Sequence, residues 1–185
     1  MKKIMLVAIA VMTFGFASAQ NVKFGVKGGV NFANLGGDAD GSSFTGFNVG
    51  GLAEIKLSDK FAIQPEILYS LQGSDFSENG FDDKLKISYL NIPVMAKYYV
   101  IKKLSVEAGP QIGFLLSAKE DGEDVKDDFK SLDFGFNFGV GYDITESFFA
   151  GVRYNLGLLN IADNVNGDNF KTNNNVFSIS VGYKF

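Results

Sequence analysis

Cysteine, histidine and tryptophan are all missing from this chain of 185 residues. Without imidazole there is no Ser-His-Asp or Cys-His nucleophile and no ordinary zinc site. Without thiols the fold is held by no disulfide. Positive charge is never concentrated: 17 Lys and Arg stand against 21 Asp and Glu, a net charge of −4 with no basic run, which argues against nucleic acid as a partner. Long apolar stretches are scarce as well. One occupies residues 4–16, broken only by Thr13 and Gly15; Lys2 and Lys3 precede it and Ala17-Ser18-Ala19 follows. That is the pattern of a cleavable export signal over residues 1–19, leaving residues 20–185 as one domain with a net charge of −6. No later stretch approaches the roughly 20 apolar residues of a membrane-spanning helix.

What is abundant is glycine (22) and phenylalanine (19). From Val22 onward the chain alternates with period two: Phe24, Val26, Val30 and Phe32 fall on one face, Lys23, Gly25, Lys27, Gly29 and Asn31 on the other. The cleanest instance sets Leu132, Phe134, Phe136, Phe138, Val140, Tyr142 and Ile144 against Asp133, Gly135, Asn137, Gly139, Gly141 and Asp143. Such segments predict eight strands, near 22–33, 44–57, 60–72, 85–100, 104–118, 132–144, 148–159 and 175–185. Their connections alternate short and long, the pattern of an all-β, eight-stranded antiparallel up-and-down transmembrane β-barrel with short turns at the periplasmic end. A soluble lipocalin-like ligand-binding barrel also alternates. It would turn the apolar face inward and leave the glycine-rich face in water, where glycine weakens a strand. A small-residue lumen with an apolar face toward lipid fits better. Phe24, Phe61, Tyr98, Tyr142, Phe148 and Tyr183, near the turn ends of their strands, suit an interfacial aromatic girdle or ordinary lipid-facing bulk.

Several pieces resemble Bacteroidetes-type outer-membrane β-barrel proteins, the porin-family or PorT-like barrels. They are Phe24-Gly25-Val26-Lys27-Gly28-Gly29-Val30-Asn31, Gln64-Pro65-Glu66-Ile67-Leu68-Tyr69-Ser70, Tyr89-Leu90-Asn91-Ile92-Pro93-Val94, Ala108-Gly109-Pro110 and the closing Gly182-Tyr183-Lys184-Phe185. The resemblance implies the barrel fold and an outer-membrane location but no reaction. Val181, Tyr183 and Phe185, on one face of the last strand, resemble the C-terminal signal read by the outer-membrane barrel assembly machinery. Pro65, Pro93 and Pro110 fall inside strands, and bulges or local distortion are expected there.

Counting from the turn ends places Lys27, Glu54, Glu66, Lys97, Glu107 and Arg153 at similar depth on the inward face. Three acids and three bases at one level are expected to pair, because an unpaired charge there would cost several kcal/mol. The set reads as a lumen ionic network that plugs the barrel, with a gate or narrow polar path for ions as the other reading. The long loops are acidic. Residues 119–131 carry six acids and three lysines, and the loops at 34–43, 73–84, 119–131 and 160–174 sum to −9. Asp38-Ala39-Asp40-Gly41 and Asp121-Gly122-Glu123-Asp124 match no calcium-loop template and read as solvated, mobile loop, and the asparagine-rich loop at 160–174 reads as exposed loop.

The sequence therefore points to a non-enzymatic integral outer-membrane protein, structural or surface-interacting, with no cofactor, metal or catalytic residue. Its expected partners are outer-membrane lipid, the assembly machinery and a cell-surface partner at the acidic loops. A narrow pore, or a component of a secretion or transport assembly, is the alternative.

Overall fold

The computed structural model describes residues 22–37, 42–75, 84–162 and 172–185. The export segment, the first calcium-like tetrapeptide and most of the loop at 73–84 lie outside them. Long strands dominate: β1 (Val22–Gly37), β2 (Ser42–Lys56), β3 (Phe61–Asp75), β4 (Lys84–Ile101), β5 (Leu104–Glu120), the two-residue β6 (Glu123–Asp124), β7 (Leu132–Asp143), β8 (Phe148–Gly157) and β9 (Thr172–Lys184). All neighbours are antiparallel. The order β4-β3-β2-β1-β9-β8-β7-β5, with β4 also paired to β5, closes a ring of eight. β1 meets β9 from Gly25↔Lys184 to Gly37↔Thr172, and the Phe185 amide donates to the Phe24 carbonyl at 2.8 Å. Closure leaves the ring of eight without a free edge, so each of its strands is paired on both sides.

At the turn end the connections are tight because short side chains hold them. The Ser58 hydroxyl accepts from the Lys60 and Phe61 amides at 3.3 and 3.1 Å, and the Thr145 hydroxyl from those of Ser147 and Phe148 at 3.2 and 2.9 Å. The period-two pattern sorts the faces as the sequence suggests. Phe24, Val26, Val30, Phe47, Val49, Phe138, Val140 and Ile179 are exposed on the outside, while Lys27, Asn31, Glu54, Glu66, Asn137 and Arg153 are buried within. An apolar outside on a polar inside is the inverse of a soluble barrel. The aromatics near the turns ring that end, with Phe61 against Tyr98 and Phe148 against Tyr183, both at 4.9 Å between centroids.

One expectation holds in part and one is corrected. At each proline the ladder toward the preceding strand is interrupted for two pairs, the local distortion expected, but no bulge forms and the register does not shift. Leu52↔Glu66 and Ile55↔Ile63 share one register across Pro65, Pro65↔Val94 and Leu68↔Asn91 across Pro93, and Pro93↔Gln111 and Ala96↔Ala108 across Pro110. An antiparallel residue directs its N–H and C=O to one neighbour only. Each proline thus loses a donor toward the preceding strand and still pairs on the other side, Pro65 with Val94, Pro93 with Gln111 and Pro110 with Phe136. The register shifts lie elsewhere, between Ser43 and Asn48 of β2, between Ser88 and Tyr89 of β4 and between Tyr99 and Ile101 at the β4–β5 turn.

Loop 119–131, expected as solvated loop, is folded. β6 pairs back on Lys119 and Glu120, a 3-10 turn spans Lys126–Asp128, and Val125 and Phe129 pack over the barrel mouth. Its acids stay on the surface. The asparagine-rich loop also contributes inward: Ile161 is fully buried, and Thr172 and Asn174 begin β9 facing the lumen.

Candidate functional site

Inward side chains divide the lumen into three levels. Nearest the turns, β1, β2, β3, β4, β5 and β8 bring all six of Lys27, Glu54, Glu66, Lys97, Glu107 and Arg153 together, joined by Asp143 of β7 and Lys184 of β9. The eight form one chain of alternating sign. Lys27 meets Glu66 at 3.2 Å, Glu66 meets Arg153 at 2.9 Å, Arg153 meets Glu107 at 3.1 Å and Glu107 meets Lys97 at 3.1 Å. Lys97 then reaches Glu54 at 3.1 Å, Glu54 holds Lys184 at 3.2 Å and Lys184 ends on Asp143 at 2.9 Å. Four bases neutralise four acids.

Neutral donors and acceptors satisfy much of what the charges leave. The Arg153 guanidinium engages both Glu66 oxygens at 2.9 Å, a two-pronged geometry lysine cannot supply. The Gln64 amide donates to Glu66 at 2.6 Å and accepts from Lys97 at 3.1 Å. The Tyr99 hydroxyl donates to Glu54 at 2.9 Å. These contacts offset much of the large cost of taking charges out of water, although the Glu54 Oε1 is left without a hydrogen-bond partner. Phe149, with the Lys184 ammonium 5.4 Å from its ring centroid, closes the turn end.

Asp143 and Lys184 belong to the inward parity in the sequence yet sit nearer the strand ends than the other six. The length of the Lys184 side chain lets it reach Glu54, so counting residues along the strand underestimates its depth. Nothing in the sequence marks Gln64 or Tyr99 beyond their inward parity.

Above the charges lies a level of amides and hydroxyls. Asn48 donates to Asn31 at 2.6 Å, Asn31 to Ser70 at 2.9 Å, Asn155 to Asn137 at 3.2 Å and Asn137 to Gln111 at 3.3 Å. At the loop end Leu35, Leu85, Ile87, Tyr89, Leu115, Ala118 and Ile161 form an apolar cap, covered by Val125 and Phe129. The bulge in the β4–β5 ladder makes the cap: Ser88↔Ser117 is followed by Tyr89↔Leu115. Leu116 is thereby left pointing out, and both Leu115 and Ala118 turn in. Two cavities within the polar levels, about 20 and 30 Å³, have room for isolated waters. Among the described residues no cluster of acids could hold a metal ion.

The last strand carries Phe177, Ile179, Val181, Tyr183 and Phe185 in one outward row, with the Phe185 ring edge-on to Tyr183 at 5.4 Å.

Comparison with known proteins agrees with this architecture. Neisserial surface protein A superposes with a TM-score of 0.56 at 20% identity, covering 88% of this chain and 97% of that one. Ail, the attachment invasion locus protein of Yersinia pestis, gives 0.55 at 12% identity over 90% of this chain and 100% of its own. Its complex with the heparin analogue sucrose octasulfate gives 0.53 at 13% identity, with the same coverage. At these identities the likeness is one of fold. No curated protein sequence matches. The family model for the outer membrane protein beta-barrel domain matches residues 18–163. A closed ring of eight strands, apolar outside and ionic within, and that match along most of its length, place the chain in the outer membrane protein beta-barrel domain family.

Proposed function

We propose that this protein is a non-enzymatic, non-conducting outer-membrane barrel whose rigid body presents loops to a partner outside the cell. The observation that carries the reading is the filled lumen: seven consecutive ion pairs across the barrel, with an apolar cap above them. Eight strands enclose only enough space for side chains. Folded protein in planar lipid bilayers is expected to give no single-channel steps; reproducible steps from a homogeneous folded sample would overturn it.

The loop end supports the surface role. The acids of residues 119–131 lie on a folded platform, where a partner meets them without first ordering the chain. Ail is described with a polyanionic sulfated sugar. The loops here are anionic, so a basic partner suits them better. The quoted strand motifs favour the Bacteroidetes-type branch of the family. In the same reading, residues 1–19 direct export, and the row ending Val181, Tyr183 and Phe185 is read by the assembly machinery.

A further inference from the structure

Two lysines face each other on the outer wall of the barrel, near its loop end. Leu85, Ile87 and Tyr89 turn inward into the cap, so the residues between them on β4, Lys86 and Ser88, face outward. Lys86 stands directly opposite Lys119 of β5, and both are exposed. Directly opposed residues share a face with Cβ atoms about 4.5–5.5 Å apart, and like charges so placed repel. Among the described residues neither ammonium has an ion pair or a hydrogen bond. Lys84, the next outward lysine of β4, is 3.9 Å from Asp75 instead. Asp124 flanks Lys119 on its other side, but its carboxylate accepts from the Lys126 amide at 3.0 Å and makes no ion pair.

One row nearer the turns, Ser88 stands opposite Ser117 on the same outer face, and the Ser88 hydroxyl is 2.9 Å from that of Tyr69. Below the serines the wall is apolar, with Leu90 and Ile92 on β4 and Ile112 and Phe114 on β5. The height of the lysines follows from the strand. Lys86 lies twelve residues along β4 from Tyr98, which belongs to the aromatic ring at the turn end. At about 3.3 Å per residue and a tilt of roughly 40°, the two differ by about 30 Å along the barrel axis. The apolar band of such barrels is about 25 Å tall. The serines thus reach its upper edge, and the lysines lie at the level of the lipid headgroups.

We propose that Lys86, Lys119, Ser88 and Ser117 hold the anionic phosphate of a membrane lipid in the loop-side leaflet. From apolar wall to hydroxyls to ammoniums, the surface runs in the same order as a phospholipid runs from chain to phosphate. A phosphate between the two lysines turns their mutual repulsion into two attractions, and lysine serves well as a point charge for phosphate. The route of approach favours a lipid over free phosphate. A free anion must pass the acids of residues 119–131, which repel it, whereas a lipid arrives sideways within the membrane.

The test is native mass spectrometry of the folded full-length barrel in an uncharged detergent, with dioctanoyl phosphatidic acid, phosphatidylcholine of the same chains, and inorganic phosphate as probes. Phosphatidic acid is expected to be retained at least ten-fold more tightly than phosphatidylcholine. Lys86→Gln combined with Lys119→Gln should weaken its retention roughly 30-fold, whereas Lys102→Gln with Lys103→Gln, at the turn end, should cost far less. Relieved of the repulsion, the first double variant should unfold in detergent alone at the wild-type midpoint or above it; a lower midpoint would give the pair a structural role and overturn the site. Equal retention of the two lipids would also overturn it, and so would an equal loss from the turn-end variant. Inorganic phosphate bound as tightly as the lipid would assign the lysines to a free anion and overturn the lipid. Should the double variant not fold, undiminished retention in Lys119→Gln alone decides against the site.

Discussion

Gly141 shows how much of this barrel depends on atoms that are not there. A Cβ at that position would fall 2.5 Å from the Glu107 Oε1 and 2.8 Å from the Ser105 hydroxyl, and Glu107 is held in place by Lys97 and Arg153. Gly141→Ala is therefore expected to displace the carboxylate and destabilise the barrel by about 1–3 kcal/mol, read from urea unfolding in detergent. Position along the ion-pair chain should set the cost of removing a charge. Glu66 is fully buried between Lys27 and Arg153, so Glu66→Gln strands positive charge in the lumen and should cost about 3–5 kcal/mol. Asp143 ends the chain with its side chain 18% exposed, and Asp143→Asn should cost about 1 kcal/mol. Equal losses from the two substitutions would contradict the graded network. Inward parity and charge sign for the network are legible residue by residue. The exact partners are not, because a lysine's reach along the barrel axis is set by its rotamer, as Lys184 shows.

At the scale of elements, strands and turns could be read from the sequence more fully than loops. A strand in a closed barrel repeats one local rule, outward apolar and inward polar or small, for its whole length, so β7 is evident in residues 132–144. The loops obey no such period. Residues 119–131 look solvated because six of thirteen are acids, yet Val125 and Phe129 pack the segment against the apolar cap, whose members Leu35, Leu85 and Ile161 are distant in sequence. Val125→Ser with Phe129→Ser should release it and raise amide exchange at Lys130, whose N–H donates to the Ile161 carbonyl at 2.8 Å; unchanged protection would mean that the cap does not anchor the loop. The last strand allows folding and delivery to be tested separately. Phe185 contributes a backbone bond to Phe24 that any residue could make, and a ring against Tyr183 on the outer surface. Phe185→Ala is thus expected to refold normally in detergent but to reduce assembled barrel in cells several-fold, judged by heat-modifiable gel migration. Equal losses in both settings would assign the ring a purely structural role.

For the molecule as a whole, topology implies sidedness, because every long loop leaves one end and every short turn the other. Added protease should cleave intact cells within residues 119–131 and spare the turns at 57–60, 102–103 and 144–147; cleavage at the turns would reverse the orientation. The sequence by itself determined that the chain is a barrel with an apolar outside, since strand alternation and loop length are local properties that any stretch displays alone. It also determined the balance of charge within, because parity assigns each acid and base to a face. Only the tertiary structure decided how those charges connect, that the prolines leave the register intact, and that a cap shuts the loop end. Each of these depends on which strand lies beside which and at what height, a relation that exists only once the ring has closed.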